Sequence, residues 1–124
     1  MVKTNKIQQI KEIYLNNKEG FTIGFDDLKA YSKNEGYSIG ITNIKGKNLN
    51  NLIRKVLFIG NNGFSQIKEK YIGGWFNPQD KMFYLDLSIV SNDTAEVKFM
   101  LKRFNQISCF SFKDFNTYKG DDLK

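Results

Sequence analysis

The chain has no histidine, a single cysteine, a single proline and a single tryptophan. The lack of imidazole removes the commonest general base and the commonest nitrogen ligand for zinc, and one thiol cannot complete a Cys/His metal site. Cys109 has no partner for an internal disulfide, and its setting Ile107-Ser108-Cys109-Phe110 predicts a reduced thiol inside the core. Absent as well are a glycine-rich phosphate loop closing on Lys-Ser/Thr, a Gly-x-Gly-x-x-Gly turn and a Gly-x-Ser-x-Gly elbow. Catalysis would fall to carboxylates alone, with Asp86 or the pair Asp26-Asp27 as the available groups. These gaps predict a binding protein rather than an enzyme, with no catalytic residue, no metal and no cofactor. No stretch approaches the length of a membrane-spanning helix, and the start Met1 to Lys6, followed by Ile7-Gln8-Gln9-Ile10, is too polar for a signal-peptide core. The expected location is the cytoplasm, with no membrane partner.

What is present is enough for a core. Hydrophobic residues make up 40% of the 124 and aromatics 15%, which suits one domain over 1-124, with residues 118-124 read as a loose tail. The formal net charge is +6, from 19 Lys and Arg against 13 Asp and Glu, and it favours an anionic partner. Much of the excess lies between Lys45 and Lys70, where Lys45, Lys47, Arg54, Lys55, Lys68 and Lys70 face only Glu69. A solvated helix face in a lysine-rich chain would explain the same run.

Periodicity predicts an α+β fold, a small mixed or antiparallel sheet with helices packed on it, in the order α-ββ-α-ββ-α-β. Ile7, Ile10, Ile13 and Tyr14 recur near helical spacing before Asn16-Asn17 and Gly20. Phe21 to Phe25 and Gly36 to Ile41 alternate large apolar with small residues, as strands do, and their glycines leave room for close approach. Leu49, Leu52, Ile53, Val56 and Leu57 form the apolar stripe of an amphipathic helix from Asn48 to about Ile59, ended by Gly60-Asn61-Asn62-Gly63. Tyr71 to Phe76, the turn Asn77-Pro78-Gln79-Asp80 and Met82 to Val90 read as a β-hairpin. Alternation in its second strand puts Phe83, Leu85, Leu87 and Ile89 towards the core. Tyr84, Asp86 and Ser88 fall on the other face beside Tyr71 or Trp75, a row of hydrogen-bonding groups suited to binding. Asp93-Thr94-Ala95-Glu96 predicts a capped helix to about Phe104, burying Val97, Met100, Leu101 and Phe104. Asn105-Gln106 breaks it before a last strand, Ile107 to Phe112.

The run Tyr71-Ile72-Gly73-Gly74-Trp75, the turn after it, Tyr84-Leu85-Asp86-Leu87-Ser88, the helix carrying Ala95 and the pair Asn105-Gln106 resemble small phage and mobile-element proteins of the first Thoeris anti-defence family. Members of that family are cytosolic sponges that sequester signalling nucleotides, chiefly cyclic ADP-ribose isomers such as glycocyclic ADP-ribose, made by bacterial immune enzymes. The resemblance covers about residues 70 to 112 and rests on scattered positions. It implies a non-catalytic homo-oligomer in the bacterial host cytoplasm, with a small-molecule nucleotide held at or near protomer interfaces. A cyclic nucleotide needs stacking surfaces for its base, cations or amides for its phosphates, and amides or carboxylates for its ribose hydroxyls. On that implication Trp75 and Tyr84 are candidate stackers and Arg103 a candidate phosphate ligand. Asp86, Ser88, Asn92, Asn105 and Gln106 are candidate hydrogen-bonding groups. Each has a plainer reading: hairpin packing for Trp75, solvent-facing strand positions for Asp86 and Ser88, a helix start for Asn92, a helix stop for Asn105-Gln106, a surface pair for Arg103.

Two rival functions compete. One is a phage-type inhibitor that binds a host protein or a nucleic-acid machine through the basic Lys45 to Lys70 region. Nucleic acid itself is disfavoured, since no recognition motif is present and the aromatics are not interleaved with the basic cluster. The other is a carboxylate-only enzyme.

Overall fold

The computed structural model describes residues 2-64, 67 and 69-123. Helix α1 spans Val2–Asn16 and is followed by strands β1, Phe21–Gly24, and β2, Tyr37–Gly46. Helix α2, Leu49–Asn62, leads into β3, Tyr71–Asn77, and β4, Met82–Ser91. Helix α3, Thr94–Arg103, precedes β5, Ser108–Ser111, and β6, Thr117–Lys119, with a 3-10 turn at Gly120–Asp122. The strands form one six-stranded antiparallel sheet in the order β1-β3-β4-β2-β5-β6. The fold is α+β, as the periodicity predicts.

Local chemistry accounts for the helix ends. Asn48 caps α2 by accepting the Asn51 N–H at 3.1 Å. The Gly60-Asn61-Asn62-Gly63 run ends that helix at its last member, Gly63, which caps it; Gly60 lies inside, and a methyl there would stand 2.4 Å from the Phe25 ring. Asp93 caps α3 by accepting the Ala95 and Glu96 N–H groups. Glu96 does not close a reciprocal box onto Asp93. Its carboxylate accepts from the Ser91 hydroxyl, which in turn accepts the Asp93 N–H at 3.1 Å. At the far end Asn105 takes a left-handed φ of 54°, its N–H bonds the Lys102 carbonyl and the Gln106 N–H bonds that of Leu101. This is the paired closure of a Schellman motif, with Asn in glycine's usual place.

All three helices cover one face of the sheet. Ile10 and Tyr14 of α1, and Leu49, Leu52, Ile53 and Val56 of α2, bury against Ile23, Ile41, Ile72, Leu85, Leu87 and Ile89. Val97 and Leu101 of α3 bury against Ile39, Cys109 and Leu123. Cys109 is a buried free thiol, as its context predicts. Leu123, only 3% exposed, corrects the expectation of a loose tail. Tyr118 pairs with Cys109 in the sheet, and the 3-10 turn folds Leu123 under α3, so apolar burial outweighs the polar composition of this stretch.

Strand β2 contains a bulge. Gly40 pairs with Ser88 and Thr42 with Leu87, which leaves Ile41 as an extra residue. The strand therefore continues to Gly46 instead of stopping at Ile41, where simple alternation fails.

Candidate functional site

The face of the sheet turned away from the helices is the place where the polar row of β4 lies. Register puts Gly73 beside Asp86 and Trp75 beside Tyr84 on the β3 side, and Asn43 beside Asp86 and Lys45 beside Tyr84 on the β2 side. Asn43, Gly73, Trp75, Tyr84 and Asp86, together with Ser38 and Phe110, edge a concavity of about 620 Å³, within the usual range for small-molecule sites.

At one end stands an aromatic shelf. The Trp75 and Tyr84 rings stack at 4.8 Å and 20°, while Trp75 stays 44% exposed, so part of the indole remains open to solvent. The Lys45 ammonium sits 5.7 Å from the centre of the Tyr84 ring. The Tyr84 hydroxyl donates to Asp80 in the hairpin turn, and that hydrogen bond holds the Asp80 carboxyl below its ordinary range. From the helical layer Tyr14 reaches between β3 and β4 at the same pair. Its hydroxyl donates to the Trp75 carbonyl, with the Tyr84 carbonyl 2.9 Å away as a second acceptor, and accepts the Tyr84 N–H at 3.0 Å. Burial pushes the Tyr14 phenol up to about 12, so it stays a neutral donor. The shelf thus hangs from a buried hydroxyl.

The floor is different in kind. Asp86 lies between two glycines: a methyl on Gly73 would stand 2.5 Å from its Oδ1, and one on Gly40 3.4 Å from its Oδ2. Only a residue without a side chain leaves room for the carboxylate against β3. Asp86 Oδ1 and Ser88 Oγ are both shut off from solvent and have no hydrogen-bond partner among the described residues, and Ser88 is 2% exposed. Burial raises the Asp86 carboxyl to about 6; the Gly73 backbone opposes this only in part and makes no hydrogen bond to Oδ1. Buried polar atoms are normally satisfied, so two orphans on one strand face are notable. No Lys or Arg is among the residues lining the concavity. At the opposite end Phe110 packs on Phe112 at 5.4 Å, and Tyr31 bridges Phe112 and Tyr71.

Of the residues proposed from sequence, Trp75, Tyr84, Asp86 and Ser88 come together here. The other four lie elsewhere. Arg103 is on the helical layer, its guanidinium 5.8 Å from the Phe104 ring, at a groove of about 500 Å³ shared with Asn62, Phe64 and Phe99. Asn105 and Gln106 form the stop of α3, the Gln106 amide donating to the Phe104 carbonyl at 3.2 Å. Asn92 is exposed in the turn that precedes α3. The basic run is divided as well: Lys45 is on the bare face, whereas Arg54 and Lys55 are exposed on α2. Lys70 is buried, donating to the Ile67 carbonyl at 2.9 Å and lying 4.8 Å from the Phe25 ring centre. Lys68 lies outside the described residues. Asn43, Gly73 and Phe110 are members of the site that sequence reasoning did not name as such, whereas Gly40 was expected to allow close approach and Lys45 belonged to the basic run; the Gly73-Gly74 pair ahead of the sole tryptophan was the available signal. No cluster of His, Cys, Asp and Glu among the described residues has the form of a metal site, and no described helix is long and apolar enough to cross a membrane. Comparison with family models, with curated proteins and with solved structures finds no match.

Proposed function

We propose that this protein binds and sequesters a signalling nucleotide without converting it, the cyclic ADP-ribose isomers being the class that the sequence resemblance suggests, and so blocks activation of a bacterial immune effector. The observation that carries the reading is the concavity itself. An open indole beside Tyr84 provides a stacking surface, buried acceptors provide a polar floor, and a lysine stands at the rim. A base and a ribose need those same groups. On this reading the protein acts in the host cytoplasm as an anti-defence factor for immune evasion, with a second copy closing the open side of the concavity.

The test is to incubate the protein with cyclic ADP-ribose isomers and cyclic di- and trinucleotides, follow its melting temperature, then denature it and analyse what is released. A selective rise with intact ligand recovered supports sequestration, because a ligand that binds only the native state must stabilise it. A converted product makes the protein an enzyme. No rise with any nucleotide moves the reading to an inhibitor of a host macromolecule. That alternative is favoured by Phe58 and Phe99, 67% and 64% exposed on α2 and α3, close in sequence to Arg54, Lys55 and Arg103.

A further inference from the structure

We infer that the recess over Asp86 and Ser88 takes an uncharged diol, so that a nucleotide enters sugar-first and leaves its phosphates outside, against Lys45. This deepens the nucleotide reading above and rests on it.

The orphan atoms of the floor are a carboxylate oxygen, which in its ionised form only accepts, and a serine hydroxyl, which both accepts and donates. A phosphate group has nothing but acceptors, and it would meet the Asp86 carboxylate as a like charge with no cation among the lining residues to offset it. A phosphate is therefore the wrong occupant of the floor. Groups that bring their own protons are the right ones. A ribose presents two adjacent hydroxyls, and Asp86 and Ser88 lie two residues apart on the same strand face, roughly 7 Å between Cα atoms at the strand rise. Both line the same concavity. The two glycines seat the carboxylate: Gly73 and Gly40 leave the space in which it lies between β3 and β2, beside the concavity that Asp86 lines. Asn43, whose Oδ1 lies 3.3 Å from the methyl position at Gly40, adds an amide at the border of the recess. With the sugar seated there, a base attached to it reaches the Trp75 and Tyr84 shelf on the neighbouring β3–β4 pair. The Lys45 ammonium stands beside that shelf and is the group left for phosphate.

The sole tryptophan makes the test direct, since a base stacking on Trp75 changes the only indole fluorescence in the protein. Adenosine, 2′,3′-dideoxyadenosine, AMP and pyrophosphate are titrated separately against the wild-type chain. Adenosine is expected to bind within about threefold of AMP, dideoxyadenosine at least about tenfold more weakly than adenosine, and pyrophosphate neither to bind nor to compete, each tenfold step being about 1.4 kcal/mol. Ser88→Ala and Asp86→Asn are expected to weaken adenosine about tenfold, while Lys45→Ala weakens AMP more than it weakens adenosine. If pyrophosphate competes with AMP and adenosine does not bind, the orientation is reversed, though the nucleotide reading stands. Equal binding of adenosine and its dideoxy analogue overturns the diol. No binding by adenosine, AMP or any cyclic nucleotide overturns the nucleotide reading itself. The wild-type series decides between these without depending on how well any variant folds.

Discussion

Asp86 carries a cost that can be measured. An aspartate in an unfolded chain titrates near 4, whereas burial holds this one up to about 6 in the fold. Between those values the folded protein binds the proton and the unfolded chain has released it, so stability falls as pH rises from about 4 to about 6 and the penalty is complete above that. Two units bound the penalty at about 3 kcal/mol. The charged and titratable groups on the surrounding elements are Glu19 in the turn before β1, Lys45 on β2, Tyr71 on β3 and Tyr84 on β4 itself. Asp86→Asn is therefore expected to raise the melting temperature by several degrees at pH 7.5 and to change it little at pH 4, measured by thermal unfolding at both. A lower melting temperature at pH 7.5 would mean the carboxylate has a partner and the recess is not waiting for one. The side of the sheet on which Tyr84, Asp86 and Ser88 lie was legible from alternation alone, because the inward residues of β4 from Phe83 to Ile89 are all large and apolar. The recess was not legible. It depends on which strands flank β4, and one of its two glycines, Gly40, comes from a strand that precedes it by an entire helix.

At the scale of elements, the shelf is suspended from α1 by one hydroxyl. Tyr14→Phe removes the group that serves the Trp75 carbonyl and the Tyr84 N–H and leaves both without it inside the protein, a loss of about 1–3 kcal/mol. Chemical denaturation is expected to show that loss, and the native Trp75 emission is expected to shift as the ring loosens; an unchanged emission would show that the shelf holds without α1. The helix and hairpin assignments could be read from sequence because each had a local cause: an apolar stripe, a proline turn, an aspartate cap. Those that could not be read had a distant one. Helix α2 runs through Gly60, where the Phe25 ring fills the space a side chain would need, and β2 runs past Ile41 because a bulge restores its phase. Asn105-Gln106 shows the converse, where the local reading as a helix stop accounts for the pair in full.

On the scale of the whole molecule, the two clusters of buried residues share one layer, and the second of them is closed by the end of the chain. Leu123→Ala is expected to cost about 2–3 kcal/mol, read from denaturant midpoints, since it opens a cavity against Val97 and Leu101. A loss under about half a kcal/mol would mean that this end only rests on α3. Sequence position misled most for the basic run, whose members are neighbours in the chain but are parted by the thickness of the sheet and its helices. The sheet also carries a length reserve. Strand β2 spends ten residues on pairing that a regular ladder would complete with nine, the spare one being taken up at Ile41. Losing a residue near that point can be repaired by erasing the bulge, with Lys45 still on the open face. In β4, which is paired without slack on both sides, the same loss would turn every residue beyond it inside out, so the strand that bears the floor of the site has no tolerance for a change in length.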